Sequence, residues 1–157
     1  MTKGSVGLPG ARTRADEGTV LAFDFGTRKI GVAIGNTLLR VAHPLTTITG
    51  EAKAPQFAAI GALVAEWRPH ALVVGRPVHV DGTEHDMTAR AERFARSLEG
   101  RFGLPVIRVD ERFTTRAAES NLRAAGVRGA ARTGARDAIA AQLILQAWLD
   151  DLAEPPS

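Results

Sequence analysis

The run Ala71–Gly75 (ALVVG) constrains the fold more than any other segment of this 157-residue chain. It is short and wholly apolar, which is typical of a parallel strand that is buried on both faces. A helical apolar spacing precedes it at 55–67, and a second helical segment follows at about 83–101. A buried strand between two helices predicts an α/β fold in which helices cover the sheet.

The remaining pattern extends this sheet on both sides. The other predicted elements are strands at 19–25, 30–35, 38–48 and 106–109 and helices at about 114–125 and 135–152. The first two strands are close enough to form a hairpin, and Pro44 predicts that the third is an edge strand or carries a bulge. The order predicts a mixed five-stranded sheet flanked by helices, with three antiparallel strands followed by βαβ crossovers.

One domain is predicted over 19–152. Residues 1–18 and 153–157 are predicted to be a disordered N-terminal tail and a C-terminal tail. The chain has no cysteine, which excludes disulfides, a thiol nucleophile and Cys-ligated metal sites. No apolar run approaches the ~20 residues of a membrane span, so we expect a cytoplasmic protein without membrane contact.

Positive charge is concentrated in one part of the chain. Lys and Arg number 20 against 17 Asp and Glu, and residues 101–136 hold eight Arg but only three acids. Such a segment suits a polyanionic partner, because guanidinium groups pair with phosphates. A solvated arginine-rich face is an equally good interpretation of the charge alone.

Three positions carry acids that are candidates for a functional role. Asp24 interrupts an apolar strand, and a buried carboxylate needs a metal ion or hydrogen-bond donors to offset its cost. Asp110 and Glu111 follow the strand at 106–109, at the edge where α/β sheets bind ligands, although they also suit the start of a helix. Asp137 shares a helical stripe with Ala141, so it is predicted to face the sheet.

Carboxylates on the first strand, a later strand end and the last helix are predicted to meet at one end of the sheet. That arrangement suits phosphodiester cleavage by metal ions, which activate water and stabilise the leaving oxygen. Arg76, which follows the buried strand, is a weaker candidate for the same edge. Residues 126–136 hold Arg128, Arg132 and Arg136 without acids and are predicted to form a basic loop that grips phosphates.

Four ordered segments resemble the YqgF family of bacterial RNase H-like proteins. They are FDFGTRKIGVAIG (23–35), VVGRPVHVDGTE (73–84), VDERFTT (109–115) and RDAIAAQLIL (136–145). The family is described both as pre-16S ribosomal RNA nucleases and as Holliday junction resolvases. The resemblance implies a ribonuclease H-like fold, catalysis with Mg²⁺ or Mn²⁺, and catalytic and metal-binding acids at Asp24, Glu111 and Asp137.

The nucleic acid is expected to contact six basic residues. They are Lys29, Arg76, Arg112, Arg128, Arg132 and Arg136. Asp110 shares the motif with Glu111 and is expected to be structural or to support the metal-binding acids from outside. Relatives usually carry lysines just before the last acid, whereas this chain has arginines there, and the two are not equivalent at a phosphate.

The leading hypothesis is a metal-dependent endonuclease that matures the 5′ end of pre-16S rRNA, with precursor ribosomal particles as partners. A Holliday junction resolvase acting on branched DNA is the alternative, but it needs a dimer and the sequence offers no obvious dimer face, so a monomer or weak homodimer is expected. The run DFGTRKIGVAIG also resembles the first phosphate loop of actin and Hsp70-like ATPases. That fold needs two such domains and a second phosphate loop, and this chain is too short for both. A non-catalytic RNA-binding module is disfavoured by 5% aromatic content and no Tyr.

Overall fold

The computed structural model describes residues 18–79, 81–113 and 129–153. The helix predicted at 114–125, Arg128 and nearly all of both predicted tails lie outside the described residues. At 113, 129–135 and 153 the backbone is described without side-chain surroundings.

Five strands form one mixed sheet, as the sequence predicts. They are β1 (Thr19–Phe25), β2 (Lys29–Asn36), β3 (Val41–Thr49), β4 (Ala71–Arg76) and β5 (Val106–Asp110). Their order across the sheet is β3–β2–β1–β4–β5. The pairings among β3, β2 and β1 are antiparallel, whereas β1 pairs with β4 and β4 with β5 in parallel. The predicted fold class is confirmed.

Helices cover the two faces of this sheet. Their bounds are α1 (Lys53–Trp67), α2 (Asp86–Phe102) and α3 (Gly129–Ala153), with a 3₁₀ turn at Glu111–Phe113. Because side chains alternate along a strand, Leu21 and Phe23 pack under α1 and α2 while Val20 and Ala22 pack under α3. The central strand is therefore apolar on both faces until Asp24.

The third strand is an edge strand with a register shift, as Pro44 predicts. Pro44 pairs with Ala33, and the pairing shifts between Val32 and Ala33. The predicted start at Leu38 is wrong, because Asn36 Oδ1 accepts hydrogen bonds from the backbone N–H groups of Leu38 and Leu39 and holds them in a turn.

The start of α2 also differs from its predicted position. The helix does not begin at about residue 83, because the backbone N–H and the hydroxyl of Thr83 both bond to Asp81 Oδ1 in the preceding turn. His85 is the cap: its Nδ1 accepts from the Met87 N–H, and the Thr88 hydroxyl accepts from the His85 N–H. A reciprocal capping pair of this kind fixes the first helical turn.

The predicted basic loop at 126–136 is wrong from Gly129 onward, where α3 begins. Alanine and arginine are strong helix formers, and together they outweigh the cost of Gly134 inside the helix. Arg132 and Arg136 therefore belong to a helix rather than to a loop.

The N-terminal part of α3 approaches β2 at Gly31 more closely than a side chain would allow. A Cβ on Gly31 would overlap the backbone carbonyl of Asp137. The helix is thus seated directly on the strand backbone at this point.

We expect Gly31→Ala to lower the free energy of unfolding by at least about 3 kcal/mol, because neither backbone can move away cheaply. Gly100→Ala is the control: it lies in α2, a Cβ there meets nothing within 4 Å, and it should gain about 0.5–1 kcal/mol. Urea unfolding measures both. A Gly31→Ala protein as stable as the parent would contradict the close packing.

Candidate active site

Asp24 lies at the end of β1 on the face that α3 covers. Its cross-strand partner on β2 is Gly31. On the other side, the parallel pairing of Phe23 with Val74 puts Gly75 of β4 level with it. Asp24 therefore has a glycine on each neighbouring strand, and no neighbouring side chain from the sheet covers it.

Asp137 lies at this corner of the sheet because Gly31 leaves room for the backbone of α3. Its backbone rests on Gly31, beside Asp24, and Ala141 one turn later is fully buried against the sheet. The helical stripe predicts this inward direction. Asp137 Oδ2 is buried and has no hydrogen-bond partner among the described residues, so its lone pairs are available to a ligand.

Glu111 lies at the same corner because Gly75 leaves room for its side chain. It follows β5, and a Cβ on Gly75 would lie 2.6 Å from Glu111 Oε2 and 2.5 Å from Ile144 Cδ1. A Cβ at this position would force the Glu111 or Ile144 side chain to shift, so glycine leaves room for Glu111 over β4. The three predicted acids thus come from three elements to one end of the sheet.

Burial and the proximity of these carboxyl groups raise the pKa values of two of them. Burial, and then repulsion by Asp137, raises the pKa of Asp24 to about 6. Burial, followed by repulsion from Asp24 and Asp110, raises the pKa of Glu111 to about 8. Asp24 is therefore the member that interacts with both of the others.

The donor set fits a hard divalent cation. Carboxylate oxygens are the ligands that Mg²⁺ prefers, and Asp137 supplies a buried oxygen that has no hydrogen-bond partner among the described residues. Within 18–79, 81–113 and 129–153, however, no three Asp, Glu or His side chains already converge as a complete ligand group. The acids share one corner of the sheet rather than a closed cage.

Asp110 has the structural role expected of it. Its Oδ1 accepts from the Arg112 backbone N–H at 2.9 Å and its Oδ2 from Arg112 Nη2 at 2.7 Å. The hydrogen bonds from Arg112 lower the pKa of Asp110. Asp110 and Glu111 are adjacent, yet Asp110 binds Arg112 whereas Glu111 lies over Gly75 near Asp24.

The basic residues predicted to contact nucleic acid are in different situations. Arg112 is held by Asp110, and Arg76 Nη2 lies 2.6 Å from Glu84 Oε2. Lys29 and Arg136 are exposed, and neither forms an ion pair with any residue that the structure describes. Arg128 is outside the described residues, and the side chain of Arg132 is not described.

Sequence reasoning missed the roles of Gly31 and Gly75. The signal was available in the alternation along the strands, since both fall on the same face of the sheet as Asp24 once the strands are paired. Without the register, neither glycine stands out among the 16 in the chain.

The sheet order and the flanking helices place the fold in the ribonuclease H-like class. The structure of Thermus thermophilus RuvC is similar, with a TM-score of 0.50 and 15% identity over 80% of this chain and 92% of that chain. "T. thermophilus RuvC in complex with Holliday junction substrate" also aligns at 0.50, with 18% identity over 80% and 90%.

The RuvX family, described as Holliday junction resolvase, matches residues 18–151, and this chain belongs to it. The resemblance to YqgF proteins is thereby confirmed. The Burkholderia multivorans protein named "Putative pre-16S rRNA nuclease" is 54% identical over 142 residues, which cover 90% of this chain and 95% of that protein. Its namesake from Burkholderia cenocepacia is 54% identical over 147 residues, or 94% and 97%. The chain is a hydrolase of the nuclease class, which cleaves phosphodiester bonds.

We expect the metal-free protein to lose stability as the pH rises from 5.5 to 9. The folded-state pKa values of Asp24 and Glu111 lie above their unfolded values, so the folded protein holds extra protons that it loses near pH 6 and pH 8. The loss should be on the order of 4 kcal/mol, most of it from Glu111. Urea unfolding in EDTA measures it.

Asp24→Asn should flatten this dependence, because it removes one titrating group and its repulsion of the other. The exposed Glu66, on α1, supplies the control Glu66→Gln, which should keep the parent slope. If Asp24→Asn and Glu66→Gln gave the same slope, the coupling of the acids would be refuted.

Proposed function

We propose that this protein is a divalent-metal-dependent endonuclease that matures the 5′ end of pre-16S ribosomal RNA. The observation that carries the proposal is the meeting of three acids from β1, the turn after β5, and α3 at one sheet edge. The substrate is supported by the names of relatives that are 54% identical over nearly the whole chain.

Asp24, Glu111 and Asp137 would hold the cation, which we propose to be Mg²⁺, with Mn²⁺ as a substitute. The fit rests on the orphaned Oδ2 of Asp137 and on the mutual repulsion of the carboxyl groups, which a cation would relieve. When bound, such an ion lowers the pKa of a coordinated water and stabilises charge on the leaving oxygen.

The chain's own residues contribute rigidity and orientation. Asp24 is fixed by strands on both sides, so its carboxyl group stays between the other two acids. Exposed Lys29 and Arg136 flank the same edge from β2 and α3 and would bind substrate phosphates. Arg76, Arg112, Arg128 and Arg132 are proposed to add to this contact surface.

Junction resolution is the second candidate, because the matching family is described as Holliday junction resolvase. A resolvase must cut two strands symmetrically, which a dimer accomplishes and a monomer does not. We propose that the protein is a monomer or weak homodimer, a state that suits cleavage of ribosomal RNA better than junction resolution. We propose that it acts in the cytoplasm on precursor ribosomal particles. None of the described helices is long and apolar enough to cross a membrane.

Incubation of the purified protein with end-labelled pre-16S RNA and, separately, with a four-way DNA junction tests the proposal. Cleavage of the RNA should require Mg²⁺ or Mn²⁺ and stop in EDTA. Asp24→Asn, Glu111→Gln and Asp137→Asn should each lower the rate at least about 100-fold, since even groups that only support metal ligands cost 10–100-fold.

The control Glu66→Gln should cleave at the parent rate, and unfolding curves should show that all four variants are folded. Cleavage of the junction alone would establish the resolvase instead. Parent-rate cleavage by folded Asp24→Asn would overturn the metal mechanism, and RNA binding without any cleavage would favour the RNA-binding module.

A further inference from the structure

A pocket of about 270 Å³ opens between α1 and α2 just beyond the end of β1. Three phenylalanines line it: Phe25, Phe57 and Phe94. The rings of Phe25 and Phe94 are stacked, with centroids 4.8 Å apart and planes at 29°, and Phe57 lies 5.9 Å from Phe94. Although the chain has few aromatic residues, half of its six phenylalanines meet here.

The rim of this pocket is positively charged. Lys53, Arg90 and Arg93 line it and are exposed, and none of them is ion-paired within the described part of the chain. The one acid in the lining, Glu51, lies 3.8 Å from Arg28 Nε. By contrast, Arg96 on the same helix is paired with Glu92 at 3.2 Å.

The pocket and the acids share one end of the sheet but lie on opposite faces. Phe25 follows Asp24 directly, and alternation along β1 sends the two side chains to opposite sides. Thr27, in the turn that joins β1 to β2, also lines the pocket. A flexible ligand could therefore reach from the acids to the pocket by passing over this turn.

We propose that the pocket binds one unpaired nucleobase of the nucleic-acid substrate, with the neighbouring phosphates on Lys53, Arg90 and Arg93. The inference rests on the proposed function, because it takes the substrate to be a nucleic acid. Phe57 and Phe94 are buried behind Phe25, so the partly exposed Phe25 ring is the one that would stack with a base. Free cations at the rim pair with phosphates. The volume is at the small end for ligand pockets, about 300–1,000 Å³, and so suits one planar ring system.

Binding of two 12-residue RNA probes to the full-length protein, measured by fluorescence anisotropy in EDTA, tests the proposal. One is oligouridine, and the other has abasic sites at all positions, so the two carry equal charge and differ only in bases. We expect the abasic probe to bind about 10-fold more weakly at equal salt. Equal affinity of the two probes would overturn base binding.

Variants then locate the contact. Arg90→Gln and Arg93→Gln should each weaken binding of oligouridine about 3- to 10-fold. Arg96→Gln removes the same charge from the same helix outside this pocket and should change it less than about 2-fold. Phe25→Leu should reduce the preference for oligouridine over the abasic probe. If Arg93→Gln and Arg96→Gln behaved alike, only a general charge effect would be at work and the proposed site would be wrong.

Photocrosslinking keeps the test independent of how the variants fold. Oligouridine containing 4-thiouridine should crosslink to peptides containing Phe25, Phe57 or Phe94, and crosslinks found only elsewhere would refute the pocket. A protein that crosslinks there but cleaves neither RNA nor junction would retain the pocket and lose the proposed nuclease substrate. A protein that cleaves RNA without crosslinking at these peptides would support the proposed nuclease and refute the pocket.

Discussion

Asp24 lies between glycines on both neighbouring strands, and the assembly of the site depends on the space that these glycines leave. On the β2 side, Gly31 lets the backbone of α3 come down onto the sheet and bring Asp137 beside Asp24. On the β4 side, Gly75 leaves room for the Glu111 side chain, which a Cβ would displace. Three acids that are distant in sequence thus become neighbours through two absent side chains. The packing contacts at Gly31 and Gly75 are therefore also the contacts that place the acids together.

Bringing these acids together opposes stability, and the opposition is what makes the corner suited to a cation. Burial favours protonation of Asp24 and Glu111, and each additional carboxylate strengthens that tendency. A purely structural cluster would recruit an arginine, as Asp110 recruits Arg112 only one residue away from Glu111. In the described residues no arginine or lysine forms an ion pair with Asp24 or Asp137. Among the described residues Asp24 and Asp137 thus have no basic side chain as a partner, which is the environment that we propose a cation occupies.

The sequence sufficed for the fold class and for the acids because both depend on local patterns. Apolar runs and Pro44 predicted five strands and an edge, and Asp24 stood out because it interrupts such a run. Turn chemistry was harder: Asn36 and His85 each form side-chain bonds that move a boundary by several residues. The cluster of Phe25, Phe57 and Phe94 could not be predicted from the sequence, because it joins three elements. The low aromatic content of the whole chain also argued against a stacking site.

The alternation of β1 links the two halves of the proposed substrate path. A base stacked inside a duplex cannot enter a pocket that lies around the sheet edge from the acids, so the substrate must splay a base out of its stack. Unpaired RNA does so at little cost, whereas paired strands pay an unstacking energy. The pocket beside Phe25 therefore favours a single-stranded segment over a fully paired one, whatever its sequence. Selection by this nuclease would then begin with the ease of exposing one base, before any contact distinguishes one base from another.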